Sequence, residues 1–156
     1  MSGFEVREAL PEEAAEVATA YEWLFAPPGA PPPDWDPGIA AQRIEATVAS
    51  DDSAMLVAVK DGRIVGLCSA YIDLLSVRYG LRCWVEDLAV DPELRSQGAG
   101  TALLAAARDF ARSQGASHLE LDSADARVDA HRFYDREGAD VHSRSFGWHG
   151  LGEGDA

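Results

Sequence analysis

Cysteine is scarce in this chain. Cys68 and Cys83 are the only two in 156 residues, too few for a disulfide framework. Neither sits in a Cys-x-x-Cys pair. The four histidines, His118, His131, His142 and His149, never fall at a zinc-ligand spacing such as His-x-x-x-His, so no metal is expected. Lysine is nearly absent: Lys60 stands alone and the other basic residues are arginines. Basic residues number 13 against 27 acidic ones, a net charge of −14. Such a field repels nucleic acid and anionic membranes and attracts cationic partners. No apolar run approaches the ~20 residues that span a bilayer. The opening Met-Ser-Gly-Phe-Glu-Val-Arg-Glu lacks the basic segment and apolar stretch of a signal peptide. These absences predict a soluble, reduced, cytoplasmic protein with no nucleic-acid or membrane partner.

What is present is an ordinary globular mix, 47% hydrophobic and 26% charged. A chain of this length buries roughly 70% of the surface that it exposes when unfolded, enough for one core without staples. We expect a single domain over residues 1–149. The Gly-rich, acidic residues 150–156 are expected to form a flexible tail.

Phe4 and Val6 alternate with charged residues as in a strand. Pro11 opens a helix whose apolar face is Ala14, Val17, Ala18, Tyr21, Leu24 and Phe25. The Pro-rich stretch from Pro27 to Pro37 is a loop at the rim of a binding site, and a short second helix follows. Strands are expected over 53–60 and 63–76, joined at Asp61-Gly62, where a type I′ turn needs two positive φ angles. Gly66 marks a bulge. A fourth strand runs over 82–90 after the Tyr79-Gly80 turn. This pairing does not set Cys68 opposite Cys83. A helix over 98–114 buries Leu103, Ala107, Phe110 and Ala111 and closes at Gly115. A strand over 118–122, a helix over 128–137 and a last strand over 141–149 complete the chain, with Phe146 and Trp148 in the core. The order β-α-α-β-β-β-α-β-α-β describes an α/β (α+β) fold: a mixed, mostly antiparallel sheet with helices on both faces.

The most informative segment is Arg95-Ser96-Gln97-Gly98-Ala99-Gly100-Thr101, set between a strand and an amphipathic helix. Backbone amides in a Gly-containing turn converge. The helix N-terminus adds about half a positive charge. Gly98 and Gly100 let a phosphate approach the backbone, and Arg95 supplies a cation. A P-loop would need Gly-Lys-Ser/Thr, and the spacing is not that of a dinucleotide fingerprint.

Trp84-Val85-Glu86-Asp87-Leu88-Ala89-Val90-Asp91-Pro92 followed by Arg95-x-x-Gly98-x-Gly100 resembles the acetyl-CoA motif of the GNAT superfamily of N-acetyltransferases. Ala130-His131-Arg132-Phe133-Tyr134-Asp135-Arg136-Glu137-Gly138 is similar to that family's penultimate helix. The chain departs from the family at Arg127, where Asn is common, and at Gly138-Ala139, where Gly-Phe is common.

The resemblance implies acetyl-CoA as co-substrate, lying between fourth and fifth strands that splay apart. A bulge near Leu88 would free the backbone. Leu88, Ala89 and Val90 would pair with pantetheine, residues 95–101 would hold the pyrophosphate, and Arg127 would meet a CoA phosphate. The acceptor amine would attack the thioester directly in a ternary complex. Glu86 is the candidate base, expected to be desolvated by Trp84 and Leu88. Asp122 is the reserve base. Asp87 is expected on the opposite face by strand alternation, in a structural role. Tyr134 is the candidate acid for the departing thiolate.

Charge favours a small cationic amine as acceptor. Two alternatives stand beside this reading: a non-catalytic acyl-CoA-binding sensor or regulatory module, and a protein N-terminal or lysine acetyltransferase. Many relatives dimerise, so a homodimer is a further alternative.

Overall fold

A computed structural model describes residues 3–152. It resolves into a larger compact unit that runs to Leu121 and a smaller one that starts at Asp122.

The larger unit is built on five strands in the spatial order of the sequence: β1 (Glu5–Glu8), β2 (Ser53–Lys60), β3 (Arg63–Ser76), β4 (Gly80–Val90) and β5 (His118–Leu121). The first four pair antiparallel. β5 joins β4 in parallel, because the helix between them, α3 (Ala99–Ser113), carries the chain back across the sheet. Asp61 and Gly62 have φ of 51° and 74°, the geometry expected of the tight turn between β2 and β3. Cys68 pairs with Leu88 and Cys83 with Ile72. Both thiols are free and buried.

Strand alternation sends side chains to two faces. Ala54, Leu56, Ala58, Cys68, Ala70, Cys83 and Val85 pack with Leu103, Ala107 and Ala111 of α3. Met55, Val57, Leu67 and Ala89 point the other way. There they meet Ala14, Val17 and Ala18 of α1 (Ala14–Ala20) and Ile44 of α2 (Pro37–Ala49). Gly66 lies under α3. A Cβ at that position would come within 2.9 Å of the Leu103 side chain, so glycine sets the closeness of helix and sheet. The residue bulged out of β3 is its neighbour Val65, since Ala58 pairs with Gly66 and Val59 with Ile64.

The first apolar helical face does not run straight to Phe25. α1 ends at Ala20 and the chain tightens into a 3₁₀ turn over Tyr21–Phe25, a common helix ending. Pro27 and Pro28 prevent any continuation. Asp36 caps α2, its Oδ1 accepting from the N–H groups of Gly38 (2.8 Å) and Ile39 (3.0 Å).

The smaller unit contains α4 (Val128–Arg136), with Gly138 at φ 85° just beyond it. The strand expected over 141–149 does not form, and this segment has no regular structure. In a period of two, Val141 falls on the face opposite Phe146 and Trp148, so the segment offers no single apolar side to bury. Phe146 and Trp148 are each 77% exposed, which corrects their expected place in the core. The end of the expected tail, residues 153–156, lies outside the described residues. Among the described residues no helix is long and apolar enough to cross a membrane.

Candidate functional site

The site begins where β4 outruns β5. The parallel pairing covers Arg82–Val85 against His118–Leu121. From Glu86 to Val90, β4 is paired with β3 alone. An extended backbone with one edge unpaired presents N–H and C=O groups to an added chain.

A bulge sits at the same point. Ala70 pairs with Val85 and Ser69 with Asp87, so Glu86 is the extra residue. The bulge expected near Leu88 therefore lies two residues earlier. Its consequence is a change of facing. Cys83 and Val85 belong to the α3 side, so Arg82, Trp84 and Glu86 point to the α1 side. One residue has been added, so Asp87 points there too. Asp87 Oδ2 accepts from the Tyr21 hydroxyl at 2.8 Å and from Ser69 Oγ at 3.2 Å. The Asp87 N–H donates to Ser69 Oγ at 3.1 Å. Asp87 is thus not on the opposite face, and two adjacent carboxylates share one side of the sheet.

Their surroundings differ. Glu86 is exposed, not enclosed by apolar neighbours, and its Oε2 accepts from the Trp84 indole N–H at 2.6 Å. The Arg82 guanidinium lies over the Trp84 ring, 4.9 Å from its centroid. It also binds Asp73 at 2.8 Å and Glu120 at 3.4 Å. Asp87 is half-buried, and desolvation pushes its carboxyl above the ordinary aspartate range, with the Glu86 charge adding to the effect. The Tyr21 and Ser69 hydroxyls offset part of this. Burial beside Asp87 also raises the Tyr21 phenol, which stays protonated and can only donate to the carboxylate.

The glycine turn follows directly. Asp91 is buried and closes the strand: its Oδ1 accepts from the Glu93 N–H at 3.0 Å, and its Oδ2 meets Arg63 at 3.4 Å. Ser96 and Gly98 have φ of 64° and 93°, and Gly98 is the N-cap of α3. A Cβ on Gly98 would meet nothing within 4 Å. The approach to its backbone is therefore open, and the positive φ is what demands glycine. Arg95, Ser96, Gln97 and Thr101 are exposed, Gly100 is half-buried and Ala99 is buried in the core. Ala99 can therefore meet a ligand only through its backbone. The first-turn amides of a 15-residue helix converge on this turn. The residues present fit a pyrophosphate.

Residues 86–101 thus form one continuous stretch of chain in the larger unit. Arg127 and Tyr134 belong to the smaller one. Arg127 is the N-cap of α4. Tyr134 is half-buried, its ring 5.4 Å from that of Phe133. Asp122 is exposed at the start of the same unit. Burial pushes the Cys68 thiol up to about 12 and the Cys83 thiol up to about 11, so neither is a nucleophile at neutral pH. Among the described residues no group of three or more His, Cys, Asp or Glu is arranged to hold a metal.

Sequence reasoning misplaced Asp87 and did not foresee that Tyr21 would hold it. Tyr21 reads as one more apolar position of a helix face. No sequence signal marks the bulge that puts Glu86 and Asp87 on one side; it is visible only in the register of β3 against β4.

Residues 17–139 match the model of the family described as Acetyltransferase (GNAT) family. The uncharacterized N-acetyltransferase YhdJ of Bacillus subtilis (strain 168) is 36% identical over 106 residues, 67% of this chain and 74% of that protein. The aminoalkylphosphonate N-acetyltransferase of Salmonella typhimurium (strain LT2) is 38% identical over 82 residues. That alignment spans 53% of each protein, about half the relative's length. Among solved structures, AAC(6')-Iy in complex with the bisubstrate analog CoA-S-monomethyl-acetylneamine superposes with a TM-score of 0.79 at 17% identity. The match covers 93% of this chain and 96% of that one, a likeness of fold.

Proposed function

The chain belongs to the acetyltransferase (GNAT) family, and on that premise we propose that it moves an acetyl group from acetyl-CoA to a primary amine of a small cationic molecule. The observation that carries this reading is the run from Glu86 to Thr101. A carboxylate on a bulge, an unpaired strand edge and a glycine-opened helix N-terminus follow one another along this run.

In this reading Leu88, Ala89 and Val90 offer backbone groups to the pantetheine amides, and residues 95–101 hold the pyrophosphate. Arg127 adds a cation for a CoA phosphate. The amine nitrogen attacks the thioester carbon and the C–S bond breaks in the ternary complex. Glu86 takes the proton that the nitrogen loses, directly or through one water. Tyr134 gives a proton to the departing sulfur. The net charge of −14 favours a cationic acceptor over the anionic phosphonate named for one relative.

The test is a panel of amines with acetyl-CoA, followed by thiol release. Turnover with small cationic amines supports the proposal. Tight acetyl-CoA binding with no turnover on any amine would reassign the chain to the non-catalytic module. Turnover on peptides alone would reassign it to a protein acetyltransferase.

A further inference from the structure

Asp87 has no part in the chemistry just described, yet the fold holds it with unusual care. Tyr21, at the end of α1, donates its hydroxyl to Oδ2, and so does Ser69 on β3. Both hydrogen bonds fall on the same oxygen, which leaves Oδ1 as the second acceptor. The Tyr21 ring is stacked on Trp35, with ring centroids 6.3 Å apart and planes at 24°. Trp35 stands edge-on to Phe25 at 4.8 Å. Its Nε1 is shielded from solvent and has no hydrogen-bond partner among the described residues. An indole N–H is a donor only, and a shielded donor without an acceptor is costly. Thus the loop between α1 and α2 carries an unused donor in an aromatic wall. That wall reaches, through Tyr21, a carboxylate beside the bulge.

We propose that Asp87 and Trp35 select the acceptor: Asp87 binds a second cationic nitrogen, Trp35 donates to a hydroxyl or ether oxygen, and the reacting amine stands at Glu86. The substrate class is then an oxygen-bearing diamine, and the inference rests on the acetyl-transfer reading of the same site. The chemistry is complementary on each count. A carboxylate in a half-buried site gains from an ammonium partner what it lost in hydration. Flat aromatic faces at Tyr21 and Trp35 suit a cation carried on an apolar frame. Hydroxyls at Tyr21 and Ser69 fix the Asp87 rotamer before the substrate arrives, which lowers the cost of binding.

Four acceptors that differ by single groups test this: propylamine, aminopropanol, diaminopropane and diaminopropanol. Wild type is compared with Asp87→Asn and Trp35→Phe, each shown to be folded by circular dichroism. Diaminopropanol is expected to have the lowest KM. Asp87→Asn should raise KM about tenfold or more for the two diamines and leave propylamine within about twofold, with kcat little changed. Trp35→Phe should raise KM several-fold only for the two hydroxyl-bearing acceptors. A KM change of equal size across all four would mean a structural role and would overturn the proposal. So would no change at all.

Calorimetric titration of diaminopropanol into the CoA-bound protein separates this inference from the broader one. Asp87-dependent binding without any turnover would sink acetyl transfer and keep the assignment of Asp87. Turnover of other amines with no diamine binding would do the reverse.

Discussion

One strand holds two kinds of structure. Over Arg82–Val85, β4 has partners on both sides, and Cys83 and Val85 are sealed in the α3 core. Over Glu86–Val90 it has a partner on one side only. An extra residue breaks its register there, and two carboxylates share one face. The first half spends its backbone and side chains on stability. The second leaves hydrogen-bonding groups and charges unspent, which is what a ligand needs. The same chain, five residues further on, has changed purpose because β5 stops at Leu121.

The largest effect should come from the unpaired half. Glu86→Gln keeps the shape and removes the basicity. It should lower kcat by roughly 100-fold or more at neutral pH, with acetyl-CoA affinity intact. If Asp122→Asn does this and Glu86→Gln does not, the base lies outside β4. Tyr134→Phe removes one hydroxyl from the smaller unit and should lower kcat by about 100-fold with little change in KM. The CoA thiol resembles that of cysteine, with a pKa near ~8.5, so the loss should shrink for acyl donors with better leaving groups. Wild-type kcat in this variant would mean that solvent supplies the proton.

The paired half should respond in the opposite sense. Val85→Ala opens space in the α3 core and should cost about 2 kcal/mol in denaturant unfolding. Its acetyl-CoA affinity should stay within about twofold. A large affinity loss would erase the division between the halves. Beyond the strand, Gly98→Asp puts a charge where the pyrophosphate would sit. CoA affinity should fall more than tenfold, about 1.4 kcal/mol. Gly98→Ala, which is equally strained at φ 93° but uncharged, should lose less.

The smallest effect separates the two carboxylates. Burial raises the folded-state pKa of Asp87 above its unfolded value. The contribution of Asp87 to stability is therefore fully present below about pH 3.9 and lost as pH rises through the raised value. Glu86 pushes the same way, and the hydroxyls of Tyr21 and Ser69 offset part of the shift. Above that raised value the ionised Asp87 costs stability. Asp87→Asn keeps an acceptor for Tyr21 and should unfold at a higher temperature than wild type at pH 7, the gap narrowing toward pH 4. A variant less stable at pH 7 would show that the carboxylate is a structural brace.

Much of this was legible in the residues. Asp61-Gly62 could only be a tight turn, because few residue pairs accept two positive φ angles. The stripe Leu103, Ala107, Ala111 and the closing Gly115 gave α3 within a residue or two. Pro27 and Pro37 bounded the loop. The misses have a common character. A strand over 141–149 was read from composition, but a strand exists only where a ladder receives it. Glu86 was expected among apolar neighbours because Trp84 and Leu88 are near in sequence; the structure leaves it exposed on the indole N–H of Trp84.

Local signals therefore determined most of this protein's elements, its turns and the glycines that open α3, since each depends on φ, ψ and periodicity within a few residues. Tertiary structure alone decided where β5 would stop and which residue of β4 would be bulged out. It also decided that Asp87 would meet a tyrosine 66 positions away. Those are matters of register between distant strands. A slip of one residue turns every later side chain to the other face, and no short stretch of sequence records which residue was the extra one.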